Sequence, residues 1–274
     1  MDTRAARRRT STSTVMAEDV VMCTIGIIGG MSPESTTLYY RLLNEAVKAQ
    51  RGGLHNARSV ILSVDFAEVL ALAEGSHWRE VAALLIEAAQ SVEAAGADLL
   101  LLAANTPHIV ADEVAAAVDI PFLHIADAVA DAVKTAGLRS VGLLGTRFTL
   151  EAPFYVSRLR ERHGLEVFVP DADARTDLHT IITRDLAAGD CRDSSRERCR
   201  DMIRQLRAAG ADCVALACTE LPLLLGPQDS PLPLFDSTRL HVEAAVRLAL
   251  AQSSVTAAAV RSRNRGPSSA QSRA

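Results

Sequence analysis

The chain outlines itself twice. The stretch Thr24-Ile25-Gly26-Ile27-Ile28-Gly29-Gly30 has a counterpart in Ser140-Val141-Gly142-Leu143-Leu144-Gly145-Thr146, 116 residues later. Residues 99–106 are matched by 213–220 at an offset of 114, and Ile120-Pro121-Phe122-Leu123-His124 by Leu232-Pro233-Leu234-Phe235-Asp236 at 112. Three ordered elements in nearly constant register form an internal repeat, which constrains the fold more than any single motif. Each matched stretch is a short apolar run, as expected of parallel strands buried on both faces and joined by crossover helices. The expected fold class is therefore α/β: two similar βα lobes with mainly parallel sheets facing a shared cleft. Ligands of open parallel sheets sit outside the carboxyl ends of the strands. The loops after Gly30, Ala104, Thr146 and Cys218 are thus expected around one pocket.

A chain of 274 residues can form two such lobes. The first is expected over residues 23–124 and the second over 125–237, with a C-terminal helix over 238–251 packing back on the first. Residues 1–22 are rich in Arg, Ser and Thr, and residues 252–274 in Ser, Arg and Ala; both read as solvated tails. Net charge is -4, without the basic excess that a nucleic-acid partner calls for. No apolar run reaches membrane-spanning length, so no membrane association is expected. Five irregularly spaced cysteines predict reduced thiols in the cytoplasm rather than a disulfide framework. No Cys or His grouping has the spacing of a structural zinc site, so no metal is expected.

The chemistry is concentrated at two strand ends. The run Val214-Ala215-Leu216-Ala217 stops at Cys218-Thr219-Glu220, where an amphipathic stretch begins. A cysteine there faces a helix start, a setting that favours the thiolate. Asn105 and Thr106 occupy the equivalent end in the first half, after Ala104. After the first strand, Gly29 and Gly30 lead through Met31 to Ser32, a helix cap, and Pro33, suited to a first helical turn. Strand, glycine loop and helix start form an anion-binding arrangement, here without dinucleotide or P-loop glycine spacing. Two equivalent strand ends around one small carboxylate suit chemistry with two faces. In racemisation a base removes an α-proton from one side and an acid returns one from the other.

Several motifs carry a resemblance that covers residues 24–250. They are Gly29-Gly30-Met31-Ser32-Pro33-Glu34-Ser35-Thr36, Gly52-Gly53-Leu54-His55, Ser63-Val64-Asp65-Phe66, Asn105-Thr106-Pro107-His108, Pro121-Phe122-Leu123-His124-Ile125-Ala126-Asp127, Leu144-Gly145-Thr146-Arg147 and Cys218-Thr219-Glu220. Together they resemble the cofactor-independent aspartate/glutamate racemases of the Asp/Glu/hydantoin racemase superfamily. The resemblance implies a two-lobed enzyme, often a homodimer, that racemises a small amino acid without pyridoxal phosphate or metal. It implies that Cys218 is one of two acid/base residues. It also implies that Met31, Asn105, Thr106 and Thr219 line the substrate carboxylate site; Ser32, Ala104 and Glu220 are expected beside them, Glu220 either orienting or tuning Cys218 or favouring the helix dipole.

The chain departs from the family at the second acid/base. The family has Cys or Thr before the Asn-Thr pair; Ala104 stands there and carries no transferable proton. His108, four residues on, is a candidate replacement. Arg175 lies where the family often has a lysine for the substrate side chain. A relative with a single cysteine, arylmalonate decarboxylase, supplies an alternative: protonation of a decarboxylation carbanion from one face. A further alternative is a binder of small acids without catalysis.

Overall fold

The structure, a computed structural model, describes residues 22–264, with side chains described to residue 251. Two parallel sheets carry the molecule, as the repeat requires. In the first the order is β2-β1-β3: β1 (Ile25–Gly29) lies between β2 (Ser59–Ser63) and β3 (Leu99–Leu102). In the second the order is β5-β4-β6-β7, with β4 (Ser140–Gly145), β5 (Glu166–Phe168), β6 (Cys213–Ala217) and β7 (Leu234–Asp236). The halves are topologically alike. β1 corresponds to β4, β2 to β5 and β3 to β6, and a single parallel bridge, Leu100 to Phe122, stands where the second sheet pairs Val214 with Leu234. Ile120-Pro121-Phe122-Leu123-His124 is thus a one-residue bridge rather than the strand expected. Pro121 has no N–H to donate, and the chain turns away at His124 to cap a helix.

The helices are α1 (Pro33–Arg51), α2 (Phe66–Glu74), α3 (Trp78–Ala94), α4 (Ala111–Ala116) and α5 (Ile125–Thr135). They continue as α6 (Arg147–Glu151), α7 (Pro153–Ser157), α8 (Ala172–Thr180), α9 (Asp193–Ala209), α10 (Leu221–Leu224) and α11 (Ser237–Asn264). A 3-10 turn, Thr106–Val110, precedes α4. Met22, placed in the tail by the sequence reading, is buried in the first-lobe core. The backbone of α11 continues over residues 252–264, where a solvated tail was expected; residues 1–21 and 265–274 lie outside the described residues.

The strands are central because every residue of β1, β3, β4 and β6 is buried. Helices reach them closely through two equivalent glycines. A Cβ on Gly26 would lie 2.4 Å from Val92 of α3, and one on Gly142 would lie 2.9 Å from Leu206 of α9. Equivalent carboxylates tie down the strand starts: Asp98 Oδ2 accepts from the Thr24 N–H at 2.7 Å, and Asp212 Oδ2 from the Ser140 N–H at 3.2 Å. α11 begins beside β7 but supplies Val242, Ala245, Val246 and Ala249 to the core that Ile25, Leu43 and Val47 form in the first lobe.

Gly30 ends the first strand turn at φ 91, and a Cβ there would lie 2.1 Å from the Val64 carbonyl oxygen. Backbone cannot yield as a flexible side chain does. Gly30→Ala is therefore expected to lower stability by about 3 kcal/mol or more, from left-handed strain plus overlap. Urea denaturation would measure it; a loss below about 1 kcal/mol would contradict the packing described.

Candidate active site

The strand ends of the two lobes converge through hydrogen bonds that cross between them. Asn105, following β3, donates from Nδ2 to Ser237 Oγ at 3.2 Å, and Ser237 Oγ donates to the Leu216 carbonyl of β6 at 2.8 Å. Thr106 Oγ1 lies 3.2 Å from Thr146 Oγ1 at the end of β4, which in turn lies 3.3 Å from Thr149 Oγ1. Asn105 and Thr106 are thereby held against the segments that present Cys218 and Thr146. The Ser237 link was invisible to motif reading, because nothing in a Ser-Thr-Arg run marks a hydroxyl that joins two lobes.

The Asn105 orientation follows from its partners. The Ser237 hydroxyl proton goes to Leu216, so its oxygen must accept, and the Asn105 amide must turn its nitrogen toward it. This leaves Asn105 Oδ1 buried with no hydrogen-bond partner among the described residues. A buried acceptor without a donor costs about 1–3 kcal/mol, and a ligand N–H would satisfy it.

The loop after β1 is built around α1. Ser32 Oγ accepts from the Ser35 N–H at 3.2 Å and caps the helix. The Ser35 hydroxyl donates to the Ala103 carbonyl at 2.6 Å, fixing the helix start to the end of β3. The Gly30 N–H is taken by Thr36 Oγ1 at 2.7 Å. Of the loop's backbone donors, those of Met31 and Ser32 remain as candidates. The Met31 and Ala104 side chains share one apolar cluster with Val69 and Leu102.

Cys218 follows β6 directly and is nearly buried, 9% exposed. Its Sγ donates to Glu220 Oε2 at 2.8 Å, and the Thr219 hydroxyl donates to the same oxygen at 2.7 Å. The thiol is consequently pushed well above its usual range, first by burial and then by the Glu220 carboxylate; the Thr219 and Glu220 N–H groups pull only partly the other way. The expectation that the helix start favours a thiolate is corrected here. α10 has only four residues, so its dipole is small, and a carboxylate sits against the sulfur. In the resting site Cys218 is a thiol. Cys213 and Cys199 are buried and pushed up to about 12 by loss of solvent, which leaves them as core residues; Cys191 is exposed.

His108 lies in the 3-10 turn four residues from Ala104, as the spacing required, but both its nitrogens are engaged. Nδ1 lies 2.9 Å from the Ala104 carbonyl and 3.2 Å from that of Asn105, while Nε2 accepts from the Ile125 N–H at 3.2 Å. Carbonyls only accept and an N–H only donates, so the ring is the neutral Nδ1–H tautomer. Burial, with the His124 and His241 rings nearby, holds its pKa well below the usual histidine range. The ring braces the Ala104–Asn105 turn and caps α5. As a second acid/base it would have to break one of these bonds. A cavity of about 360 Å³ lies against it, lined also by His124, Phe154, Arg158 and Arg162, and contains neither Cys218 nor Ala104.

Arg175 is likewise occupied. Its guanidinium donates to Glu151 at 3.3 Å and to the Pro170 carbonyl at 2.9 Å. Among the described residues no group of three or more His, Cys, Asp or Glu could hold a metal ion, and no helix is long and apolar enough to cross a membrane.

Comparison with known proteins agrees with this architecture. Residues 28–245 match the sequence model of the Asp/Glu/Hydantoin racemase family. A solved structure of an Asp/Glu racemase candidate from Yersinia pestis is 45% identical, with a TM-score of 0.80 over 84% of this chain and 100% of its own. An aspartate racemase homologue from Pyrococcus horikoshii is 39% identical, with a TM-score of 0.72 over 83% of this chain and 99% of its own. The broad specificity amino-acid racemase RacX of Bacillus subtilis is 22% identical over 241 residues, 84% of this chain and 100% of that one.

Proposed function

Because the chain belongs to the Asp/Glu/hydantoin racemase family, an enzyme family, we propose that it is a pyridoxal-phosphate-independent racemase-type isomerase of a small amino acid. Cys218 transfers the α-proton. The observation that carries this reading is the pairing of a buried thiol with a strand end whose Asn105 Oδ1 has no partner. That oxygen accepts from the substrate ammonium. The Met31 and Ser32 N–H groups and the Thr106 and Thr219 backbones bind its carboxylate and stabilise the negative charge that develops when the Cα–H bond breaks. The proton passes to sulfur, which as a thiolate accepts it and as a thiol returns it.

The lysines support the absence of pyridoxal phosphate. The chain has two, Lys48 and Lys134. Both are exposed and lie in the last turns of α1 and α5, so neither amine is placed at the strand ends to hold that cofactor covalently. The substrate is aspartate, glutamate or a related small amino acid. The family resemblance supports a homodimer, and the thiol-rich core supports a cytoplasmic setting.

One face of this site is unlike the other, since Ala104 stands opposite Cys218 in the repeat. Incubation with each enantiomer in D2O is expected to place deuterium at Cα faster than the optical rotation decays. Ala104→Cys is expected to raise the inversion rate by about 10-fold or more by supplying the second face. Deuterium incorporation into none of the tested amino acids would overturn the reading. The same alanine favours a second reading, a one-cysteine carbon-acid decarboxylase. Carbon dioxide release from substituted malonates distinguishes it.

A further inference from the structure

The cavity beside His108 is separate from the site that holds Cys218. Its volume, about 360 Å³, is that of a small ligand pocket. Both lobes line it: Ile109 and Asp112 from the first, Phe154, Arg158, Glu161 and Arg162 from the second, with His124 at the junction. His124 is 3% exposed, yet one of its ring nitrogens is unused. Nδ1 accepts from the Ala126 N–H at 3.1 Å, and a backbone N–H can only donate. Burial first, then the Arg158, His241 and Arg162 side chains, keep the ring neutral, so its proton sits on Nε2. That N–H has no partner among the described residues and is not sealed in the core, which leaves it facing the cavity. A buried donor without an acceptor is costly, and a ligand oxygen would satisfy it.

The charges around this donor are sorted by depth. Arg158 is fixed by Asp127, which accepts from its Nε at 2.6 Å and its Nη2 at 2.7 Å, and its side chain is 16% exposed. Arg162 has no hydrogen bond or ion pair among the described residues, and its charge bears on the His124 ring. The inner end therefore carries one guanidinium more than it has close carboxylates. Asp112 and Glu161 stand at the mouth: both are exposed, and Asp112 comes only within 3.8 Å of Arg158. Ile109 and Phe154 supply apolar lining.

We propose that this cavity is a second binding site, outside the catalytic cleft, for a free α-amino acid with an apolar side chain. The carboxylate lies inward and accepts from the His124 Nε2–H, against the Arg158 and Arg162 guanidinium groups. The ammonium lies outward at Asp112 and Glu161, and the side chain packs on Ile109 and Phe154. The mouth carboxylates repel a lone anion, and a lone cation leaves the His124 donor unsatisfied; a zwitterion meets both. The site stands apart from the racemase-type reading, because it uses none of the residues at the strand ends. Its occupant touches both lobes, so binding stabilises the folded chain.

Calorimetric titration of the full-length protein with L-leucine tests this, with isovalerate as the carboxylate alone and isoamylamine as the ammonium alone. L-Leucine is expected to bind and to raise the Tm, and each partial probe to bind at least about 10-fold more weakly. Arg162→Ala removes an exposed side chain without a partner, so its unliganded Tm should match wild type while its L-leucine affinity falls about 10-fold or more. Asp112→Asn is expected to weaken L-leucine and to leave isovalerate unchanged or tighter, a pattern that a damaged fold does not produce. Asn105→Ala, which alters the cleft between the strand ends, is expected to keep the L-leucine affinity within about twofold. Neither heat nor a Tm shift with L-leucine at about 10 mM would overturn the site. So would a partial probe that binds as tightly as L-leucine, or unchanged affinity in Arg162→Ala. Binding lost in Asn105→Ala would put the amino acid in the catalytic cleft and overturn the second site equally, while the racemase-type reading would stand.

Discussion

Alanine in place of Cys218 is expected to reduce α-proton exchange by about 10²- to 10⁴-fold, the span that a positioned acid/base contributes. The fold should survive, because a buried side chain of thiol size is removed at a strand end and the lost transfer energy is about 1 kcal/mol. Deuterium incorporation followed by NMR, with thermal unfolding alongside, checks both halves. A variant that keeps its exchange rate would remove the sulfur from the mechanism. Cys218→Ser should be nearly as inactive, since a hydroxyl is a far weaker acid than a thiol.

Acid is expected to unfold the protein well above the pH at which carboxylates titrate. His108, His124 and His241 are buried together, with ring centroids 4.5 Å apart for the first pair and 5.8 Å for His108 and His241. His241 Nε2 donates to the Leu123 carbonyl at 2.9 Å, and in the neutral ring Nδ1 accepts from the Tyr39 hydroxyl at 2.9 Å. Burial holds His108 and His124 well below the ordinary histidine value and brings His241 down to about 4. The unfolded chain binds protons near pH 6.5 while the folded rings do not. Stability from these rings is therefore complete above that pH and is lost as the pH falls toward the folded values. For His241 alone the loss between pH 6.5 and 4 is about 3 kcal/mol. Urea denaturation at pH 7, 5.5 and 4.5 measures it, and a flat profile would show that the rings take up protons inside the fold.

Much of this molecule can be read from residue order. Parallel strands buried on both faces leave continuous apolar runs, so the repeat of β1, β3 and the Phe122 segment in β4, β6 and β7 is legible in one chain. The positions of Cys218, Ala104 and the Asn105-Thr106 pair at strand ends follow from the same register. What is not legible depends on where side chains point. Cys218 and a helix start are adjacent in sequence, but the thiol state is decided by the Glu220 carboxylate turned back onto the sulfur. His108 stands at the spacing of an acid/base, yet the Ile125 N–H, 17 residues away, occupies its second nitrogen. Asn105 and Ser237 are 132 residues apart, and no local pattern announces their bond.

The path of α11 bears on how such a chain can be divided. The two halves are duplicates in topology, which suggests modules that could each live alone. Yet Val242, Ala245, Val246 and Ala249, encoded after the second half, close the core of the first, while Ser237 at the head of the same helix bonds β6 of the second. A fragment cut after residue 124 would leave its own interior uncovered. Neither half of the chain is a self-sufficient module, because one wall of the first core is written at the far end of the sequence.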